Sequence, residues 1–322
     1  MIYSNDMDLK STNMGPSMLI TGGAGLIGTA AKTFFEQQGW VIRTFDQKKT
    51  DLDGRPIDFV GDILDYEAFR EPFQAMDGVL HLAAISRVID AELNKEECTR
   101  VNLKGTKRTL DFASQANCKW FIFGSSREVY GEPSSFPVSE EDGVSPINHY
   151  GHAKVSGELM VEKHCQDHQM AHSSLRFSNV YGHARDHKTR LVNAFVRNSI
   201  AGVELDIHGG NQIFDFTHID DTVGAIFAAA EHLDKKRESL PAMHVLRGEG
   251  VTIQELAHKI IQITDSQSQI SYSPGRNYDV ARFYGNPARL LNTLNFSCSI
   301  DIDEGLKRVA LLHQKAMAGE SK

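Results

Sequence analysis

One short glycine-rich turn constrains this chain more than any other feature of its sequence. Residues 18–21 are apolar and predict a buried strand, and Gly-Gly-Ala-Gly-Leu-Ile-Gly follows over residues 22–28. Gly22 permits a sharp exit from the strand, Gly25 lets backbone N–H groups approach a phosphate, and Gly28 lets the next helix pack closely. Since a helix N-terminus attracts negative charge, this strand–turn–helix predicts a dinucleotide pyrophosphate site. A tight turn with only a structural role is the alternative.

Two acidic residues indicate which dinucleotide would bind. Asp46 ends a second predicted strand, where a carboxylate hydrogen-bonds the adenosine ribose and repels the 2′-phosphate of NADP. The positively charged Lys48 and Lys49 follow Asp46, so NADP is not excluded as the cofactor. NAD is favoured over NADP. Asp62 ends a third predicted strand and is placed to meet the adenine amino group.

Short apolar runs alternate with amphipathic stretches along the first 180 residues, a pattern typical of a parallel sheet covered by helices. We therefore predict a doubly wound α/β fold of the Rossmann type with a smaller C-terminal lobe. The expected strands are 18–21, 41–46, 58–62, 78–84, 120–125 and 173–180. Helices are expected at 66–76, 96–117, 191–200 and 253–263, and a polar loop at 183–190. The expected division is a flexible tail at 1–16, an NAD-binding domain at 17–182 to which 214–247 return, and a substrate-binding lobe at 183–213 and 248–322.

Tyr150 and Lys154 are four residues apart, so on a helix they share one face. A free phenol has a pKa near 10, and a neighbouring ammonium together with a positively charged nicotinamide ring favours the phenolate. Most such pairs lie on solvated surfaces. Here the helix follows a predicted strand that ends in Ser125 and Ser126, which places a hydroxyl beside the pair and predicts redox chemistry.

Several segments occur in the order in which one known enzyme family carries them. They are the glycine turn, Leu82-Ala83-Ala84, Val-Asn-Leu-Lys-Gly-Thr at 101–106, the set of Ser126, Tyr150 and Lys154, and Arg-Phe-Ser-Asn-Val-Tyr-Gly at 176–182. Together they resemble the extended short-chain dehydrogenase/reductases, in the group of NAD-dependent nucleotide-sugar epimerases and dehydratases. The resemblance covers nearly all of the chain after the tail.

The resemblance implies roles for individual residues. Tyr150 would remove the proton of a sugar hydroxyl while hydride passes to NAD, Ser126 would hydrogen-bond the same oxygen, and Lys154 would hold the nicotinamide ribose and tune Tyr150. The expected cofactor site comprises Gly22, Gly25, Leu26, Ile27, Gly28, Asp46, Asp62, Ile63, Leu82, Ala83, Ala84, Asn102, Tyr150 and Lys154. The expected substrate site comprises Ser86, Arg127, Asn179, Arg185, Arg276 and Arg282.

The reaction outcome depends on the pair that follows Ser126. Related dehydratases and decarboxylases often have a glutamate where Glu128 stands, and it serves as a second base. Dehydratases of the dTDP-glucose type also have an aspartic acid where this chain has Arg127, which cannot act as an acid. We therefore favour a nucleotide-sugar 4-epimerase. A 4,6-dehydratase or decarboxylase that uses Glu128 is the alternative, as is a purely structural pairing of Glu128 with a cation such as Arg127.

Phe214 departs from the family pattern, in which an arginine usually stands at this position and contacts the nucleotide diphosphate. Arg185, Arg276 and Arg282 are expected to compensate, since a guanidinium binds phosphate through two parallel hydrogen bonds. The alternative for each is a solvated surface arginine. A non-catalytic NAD-binding regulatory protein and a reductase that consumes its cofactor are the competing functions.

The bulk composition excludes some partners. A net charge of −8 disfavours nucleic acid as a partner, because phosphate neutralisation needs clustered Lys and Arg. The four cysteines are scattered and no apolar stretch approaches a membrane span, so a cytoplasmic protein without a membrane partner is expected. His164 and His168 have helical spacing but no third ligand follows, so we expect no metal. By the family resemblance, a homodimer would form through the helices near 96–117 and 150–167.

Overall fold

The chain alternates strands and helices through most of its length. A computed structural model describes residues 15–275 and 280–320. The strands are β1 (Ser17–Thr21), β2 (Val41–Asp46), β3 (Phe59–Val60), β4 (Gly78–His81), β5 (Trp120–Ser126), β6 (Ala171–Phe177), β7 (Asn179–Tyr181), β8 (Leu205–His208), β9 (Ile213–His218), β10 (Met243–Val245), β11 (Gly250–Thr252), β12 (Ile270–Ser273) and β13 (Arg282–Phe283). The helices are α1 (Leu26–Gln37), α2 (Tyr66–Arg70), α3 (Val88–Leu93), α4 (Lys95–Thr99), α5 (Thr106–Gln115), α6 (His149–Asp167), α7 (Leu191–Ile200), α8 (Ile219–Lys236), α9 (Ile253–Ile263), α10 (Ala288–Leu294) and α11 (Ile302–Glu320).

Seven parallel strands form the larger sheet, in the order β3-β2-β1-β4-β5-β6-β10. Strands β1, β4, β5 and β10 are buried along their whole length because helices cover both faces of the sheet. Along β1, Met18 and Ile20 enter the core beneath α1 and α8, whereas Leu19 enters the core beneath α5 and α6. The prediction of a doubly wound, Rossmann-type α/β fold is confirmed.

The smaller lobe has its own sheet and core. Strand β9 pairs with β7, β11 and β13 along different parts of its length, and β8 pairs with β12. Helices α7, α9 and α11 pack around these strands, and Phe195, Leu256 and Val309 are buried between them. The apolar face of each helix therefore faces the smaller sheet rather than the larger one.

The boundary between the two lobes differs from the expected one. Residues 214–218 belong to β9 of the smaller sheet, and the chain returns to the larger sheet only with α8 and β10. Leu290 of α10 also enters the core of the larger sheet. An alternating or apolar run predicts a strand but does not indicate which of two sheets it joins, because pairing partners are distant in sequence.

Two expected helices are interrupted. The helix predicted at 66–76 ends at Arg70 and continues as a 3₁₀ turn at Glu71–Phe73, where Pro72 lacks the N–H that an α-helix needs. The helix predicted at 96–117 contains a stretch of wider i→i+5 turns at Arg100–Gly105. By contrast, α7 and α9 have the predicted bounds, and a capping box formed by Thr252 and Glu255 begins α9. Of the predicted tail, residues 1–14 lie outside the described residues.

The glycine turn is closely packed against its surroundings. Gly22 has a φ of 74°, a conformation that favours glycine, and a Cβ there would lie 2.8 Å from the backbone nitrogen of Ala83. A Cβ on Gly28 would lie 2.4 Å from the carbonyl oxygen of Gly22. The first turn of α1 therefore lies directly on the chain that leaves β1.

We predict that Gly28→Ala lowers the free energy of unfolding by about 1–3 kcal/mol, because backbone atoms must move to admit the methyl group. Gly143→Ala is the matched control, since a Cβ there has no neighbour within 4 Å. Urea unfolding followed by circular dichroism measures both variants. Equal stability of Gly28→Ala and Gly143→Ala would contradict the close packing of the turn.

Candidate active site

A cavity of about 700 Å³ lies between the two lobes, at the carboxyl ends of β1, β4, β5 and β6. Crevices at this edge of a parallel sheet are the usual ligand sites of doubly wound folds. Many of the residues predicted for the site line it: Gly22, Gly25, Leu26, Ile27, Gly28, Leu82, Ala84, Ser86, Ser126, Arg127, Glu128, Tyr150, Lys154 and Asn179. The cavity therefore brings together residues from distant parts of the sequence.

The glycine turn forms one end of this cavity. Helix α1 begins there, with Gly25 at its N-cap and no side chain that caps the free N–H groups of its first turn. A Cβ on Gly25 would lie 3.3 Å from the carbonyl oxygen of Gly22. Because Gly25 has no side chain, its backbone stays uncovered on this side of the turn. An uncapped helix N-terminus behind a bare backbone fits the pyrophosphate of a dinucleotide.

Asp46 and Asp62 do not line the cavity. The Asp46 carboxylate accepts hydrogen bonds from the backbone N–H groups of Ala24 (3.1 Å) and Lys48 (3.0 Å). Asp62 accepts one from the N–H of Leu64 (2.9 Å) and lies 3.8 Å from Arg100. Both carboxylates are half-buried, and Asp46 is fixed directly beside the glycine turn.

Asn102 shapes the cavity from outside its wall. Its side-chain oxygen accepts a hydrogen bond from the N–H of Ile85 (2.8 Å), and its side-chain nitrogen donates to the carbonyl of Ile85 (3.1 Å). Nearby, the N–H of Ala83 donates to the Thr21 hydroxyl (3.3 Å). Asn102, Ala83 and the buried Ile63 therefore position the segment after β4, in which Leu82 and Ala84 line the cavity.

Helix α6 carries Tyr150 and Lys154 into the wall because two of its glycines allow close packing. A Cβ on Gly151 would lie 2.5 Å from the carbonyl oxygen of Glu128, and one on Gly157 would lie 2.5 Å from the ring of Phe123. The helix begins at Asn148, whose side-chain oxygen accepts a hydrogen bond from the N–H of Gly151 (2.8 Å). The side chains of Tyr150 and Lys154 consequently reach the end of β5.

Lys154 is buried, and its ammonium donates a hydrogen bond to the carbonyl oxygen of Gly124 (2.7 Å). The nitrogen lies 4.8 Å from the centre of the Phe123 ring and 5.5 Å from that of Tyr150. Burial lowers the pKa of Lys154 to about 8, because desolvation disfavours the charged form. At neutral pH the side chain still keeps its proton.

The Tyr150 phenol is held in its neutral form. Burial raises its pKa well above the ordinary value, and the negative charge of Glu128 raises it further. The hydrogen bond with Ser126 and the positive charge of Arg190 lower the pKa of Tyr150. An added positive charge or a hydrogen-bonding group in the cavity would therefore bring this phenol closer to ionisation.

The Glu128 carboxylate is almost fully buried, and both of its oxygens have partners. One oxygen lies 2.9 Å from Nη2 of Arg127, and the other accepts a hydrogen bond from the Asn148 side chain (2.6 Å). This is the pairing with Arg127 that the sequence left open as a structural role. Each carboxylate oxygen of Glu128 therefore already has a partner, and these two contacts hold the side chain near Tyr150.

The substrate half of the cavity differs from what the sequence predicts. Arg185 is exposed and donates to the carbonyl of Leu52 (3.2 Å), and Arg282 is exposed with its guanidinium 5.9 Å from the Phe136 ring. Neither lines the cavity, and Arg276 lies outside the described residues. Asn179 lines it, with its side-chain nitrogen 3.4 Å from the carbonyl oxygen of Asp215.

Four other cations, missed by the sequence analysis, line the cavity: Arg87, Lys188, Arg190 and Arg197. Arg190 precedes α7, lies 3.5 Å from Asp186 and donates a hydrogen bond to the hydroxyl of Ser86 (3.4 Å). The sequence predicted a polar loop at 183–190 and then a helix. The signal available in the sequence was Arg190, a cationic residue directly before a helix that follows a polar loop.

The structure gives no support for a metal site. Within 15–275 and 280–320, no group of three or more His, Cys, Asp or Glu side chains is arranged to hold an ion. The rings of His164 and His168 stack with their centres 4.1 Å apart on α6. In the same ranges, no helix has both the length and the apolar character that crossing a bilayer requires.

Comparison with known proteins agrees with these features. Residues 18–240 match the model of the NAD dependent epimerase/dehydratase family. A UDP-glucose 4-epimerase of Halalkalibacterium halodurans is 28% identical over 82% of this chain and 85% of its own. An uncharacterised protein of Sinorhizobium fredii is 28% identical over 80% of this chain, which spans 62% of that relative. The structure of UDP-glucose 4-epimerase from Thermotoga maritima with UDP-glucose is similar with a TM-score of 0.87, at 26% identity, over 94% of this chain and 99% of that one.

Proposed function

The chain belongs to the NAD dependent epimerase/dehydratase family, and we propose that it is a nucleotide-sugar 4-epimerase that binds NAD at the glycine turn. The observation that carries the proposal is the position of Ser126, Tyr150 and Lys154 in the wall of the cavity that the turn also lines. The similarity to UDP-glucose 4-epimerases supports a UDP-hexose as the substrate.

The turn at Gly22, Gly25 and Gly28 would hold the pyrophosphate of NAD, and Asp46 would hold the adenosine ribose. Leu26 and Ile27 begin the helix at this turn, while Leu82 and Ala84 line the cavity further along. Asp62 would meet the adenine. When bound, NAD supplies the acceptor and then the donor of a hydride at carbon 4 of the sugar.

Tyr150 would move the proton of the sugar's 4-hydroxyl. As phenolate it takes the proton from the hydroxyl oxygen during oxidation, and as phenol it returns the proton when the carbonyl is reduced. Ser126 would donate a hydrogen bond to the same sugar oxygen. Lys154 keeps its ammonium near the Tyr150 ring, and this positive charge together with that of the nicotinamide favours the phenolate.

An epimerase outcome requires no further acid or base on the chain. Dehydration would need a free carboxylate to remove the proton at carbon 5 and an acid to protonate the leaving hydroxyl. In this cavity Glu128 is paired at both oxygens and Arg127 cannot act as an acid, so we favour return of the hydride to the opposite face of carbon 4 and of the proton to its oxygen.

We extend the proposal to a homodimer formed through the outer faces of α5 and α6. Leu159 of α6 is 63% exposed, and Leu103, Met160 and Arg108 border a shallow cavity beside it. Nη1 of Arg108 is buried without a hydrogen-bond partner in the described part of the chain, which a second chain would supply. The free thiols of the four cysteines support a reducing compartment such as the cytoplasm.

We predict that Tyr150→Phe lowers kcat for UDP-hexose epimerisation by about 10²- to 10⁴-fold, because the proton acceptor is lost. Binding of NAD, measured by calorimetry, should change little. Tyr66→Phe is the control, since Tyr66 is half-exposed on α2, and its kcat should match the wild type. Product analysis by NMR measures the reaction, and full activity of Tyr150→Phe would overturn the proposal.

We predict that Glu128→Gln retains epimerisation and shifts its pH profile. The Glu128 charge raises the pKa of Tyr150, so its removal lowers that pKa and moves the rising limb of kcat/KM to lower pH. In D₂O, neither the wild type nor the variant should incorporate deuterium at carbon 5. Loss of turnover in a folded variant, with carbon-5 exchange in the wild type, would assign Glu128 as a second base.

For the homodimer, we predict that light scattering gives the mass of two chains for the wild type and of one chain for Leu159→Arg. A charged side chain at this exposed apolar position would be buried without a partner in the interface. Leu93→Arg is the control, because Leu93 is 80% exposed on α3, outside the proposed interface. A single-chain mass for the wild type contradicts the proposal.

A further inference from the structure

Arg127 carries a donor that the folded chain does not use. Nη2 of its guanidinium lies 2.9 Å from Glu128, whereas Nη1 is buried and has no hydrogen-bond partner in the described part of the chain. The whole residue is only 8% exposed, and a buried guanidinium nitrogen without an acceptor is unfavourable. An acceptor that arrives with a ligand would remove this cost.

The surroundings of Arg127 hold it rigidly at the cavity wall. Its guanidinium carbon lies 4.5 Å from the centre of the Phe214 ring and 5.8 Å from that of Phe283, so the group is stacked on aromatic faces. Phe214 also lines the cavity, and Arg127 follows Ser126 directly in the chain. Arg127 therefore lines the same cavity wall as Ser126, with its guanidinium against Phe214.

The charge of the wall favours a negatively charged acceptor. Cationic side chains that line the cavity are Arg87, Arg127, Lys154, Lys188, Arg190 and Arg197, and the acidic ones are Glu128, Asp186 and Asp206. Hydrogen bonds from a guanidinium to an ionised oxygen are roughly twice as strong as neutral ones, most of all where water is excluded.

Resting on the proposed function, we propose that Nη1 of Arg127 donates a hydrogen bond to an oxyanion of the bound nucleotide sugar and thereby strengthens its binding. Two groups on such a substrate supply this chemistry. One is the phosphate that joins the sugar, and the other is the carboxylate of a hexuronate at the carbon next to the reacting one. Glu128 acts as a positioning residue, since its ion pair with Nη2 fixes the guanidinium and leaves Nη1 for the ligand.

The test uses variants that keep the buried charges balanced. Arg127→Lys retains the positive charge opposite Glu128 but lacks the second terminal nitrogen. The double variant Arg127→Met with Glu128→Gln removes both charges together, because a lone buried carboxylate would destabilise the fold. Glu128→Gln alone is the matched single variant, and Arg70→Lys and Arg70→Met are controls on an exposed arginine of α2.

Calorimetry with NAD present measures the binding of UDP, UDP-glucose and UDP-glucuronate. If Nη1 binds the phosphate, Arg127→Lys and the double variant weaken all three ligands by about 10- to 100-fold. If it binds the carboxylate, only UDP-glucuronate is weakened to this extent. In both cases the Arg70 variants bind as the wild type does.

Unchanged binding of all three ligands by both Arg127 variants would overturn the inference while leaving the epimerase proposal intact, provided that the wild type binds and converts a nucleotide sugar. A wild type that binds none of the three would overturn both. Circular dichroism and NAD binding of each variant distinguish a lost contact from a lost fold.

Discussion

The parallel pairing of seven strands is the constraint on which the rest of this structure depends. Because all seven run in one direction, their carboxyl ends lie along one edge, and the segments that follow them meet there. The glycine turn after β1, the segment after β4 and the pair Ser126–Arg127 at the end of β5 reach one cavity for this reason. Residues separated by more than a hundred positions thus share a site.

Burial then governs the chemistry of that site. The wall around Tyr150 holds ionisable groups away from water, so the pKa of each one depends on its immediate neighbours. Lys154 keeps a proton at neutral pH although its pKa is lowered, and Tyr150 keeps its proton because both burial and Glu128 disfavour the phenolate. Occupancy of the cavity by a positively charged ring would change this balance, which links proton transfer at Tyr150 to binding at the glycine turn.

Local patterns in the sequence were sufficient for the larger sheet and its catalytic wall. Apolar runs located β1, β2, β4 and β5 because such strands are buried on both faces, and the spacing of Tyr150 and Lys154 depends only on helix geometry. The sheet that β9 joins could not be predicted, since its partners β7, β11 and β13 lie before and after it at long range. For the same reason, the sequence could not show that Asn102 faces the backbone of Ile85 rather than the cavity.

The position of Arg127 offers a second way to compensate for the family arginine that Phe214 replaces. The sequence predicts Arg185, Arg276 and Arg282 for this role. In the folded chain, the guanidinium that lies over the Phe214 ring comes instead from the end of β5. Strand β5 of the larger sheet and β9 of the smaller sheet approach each other at this point of the cavity. A cationic side chain from either strand can therefore occupy the same space. An aromatic ring at one position and an arginine at the other then form a stacked pair, and the buried partner Glu128 fixes its orientation. A buried ion pair of this kind adds little to stability. Its consequence here is that Nη1 of Arg127 has no hydrogen-bond partner in the described part of the chain.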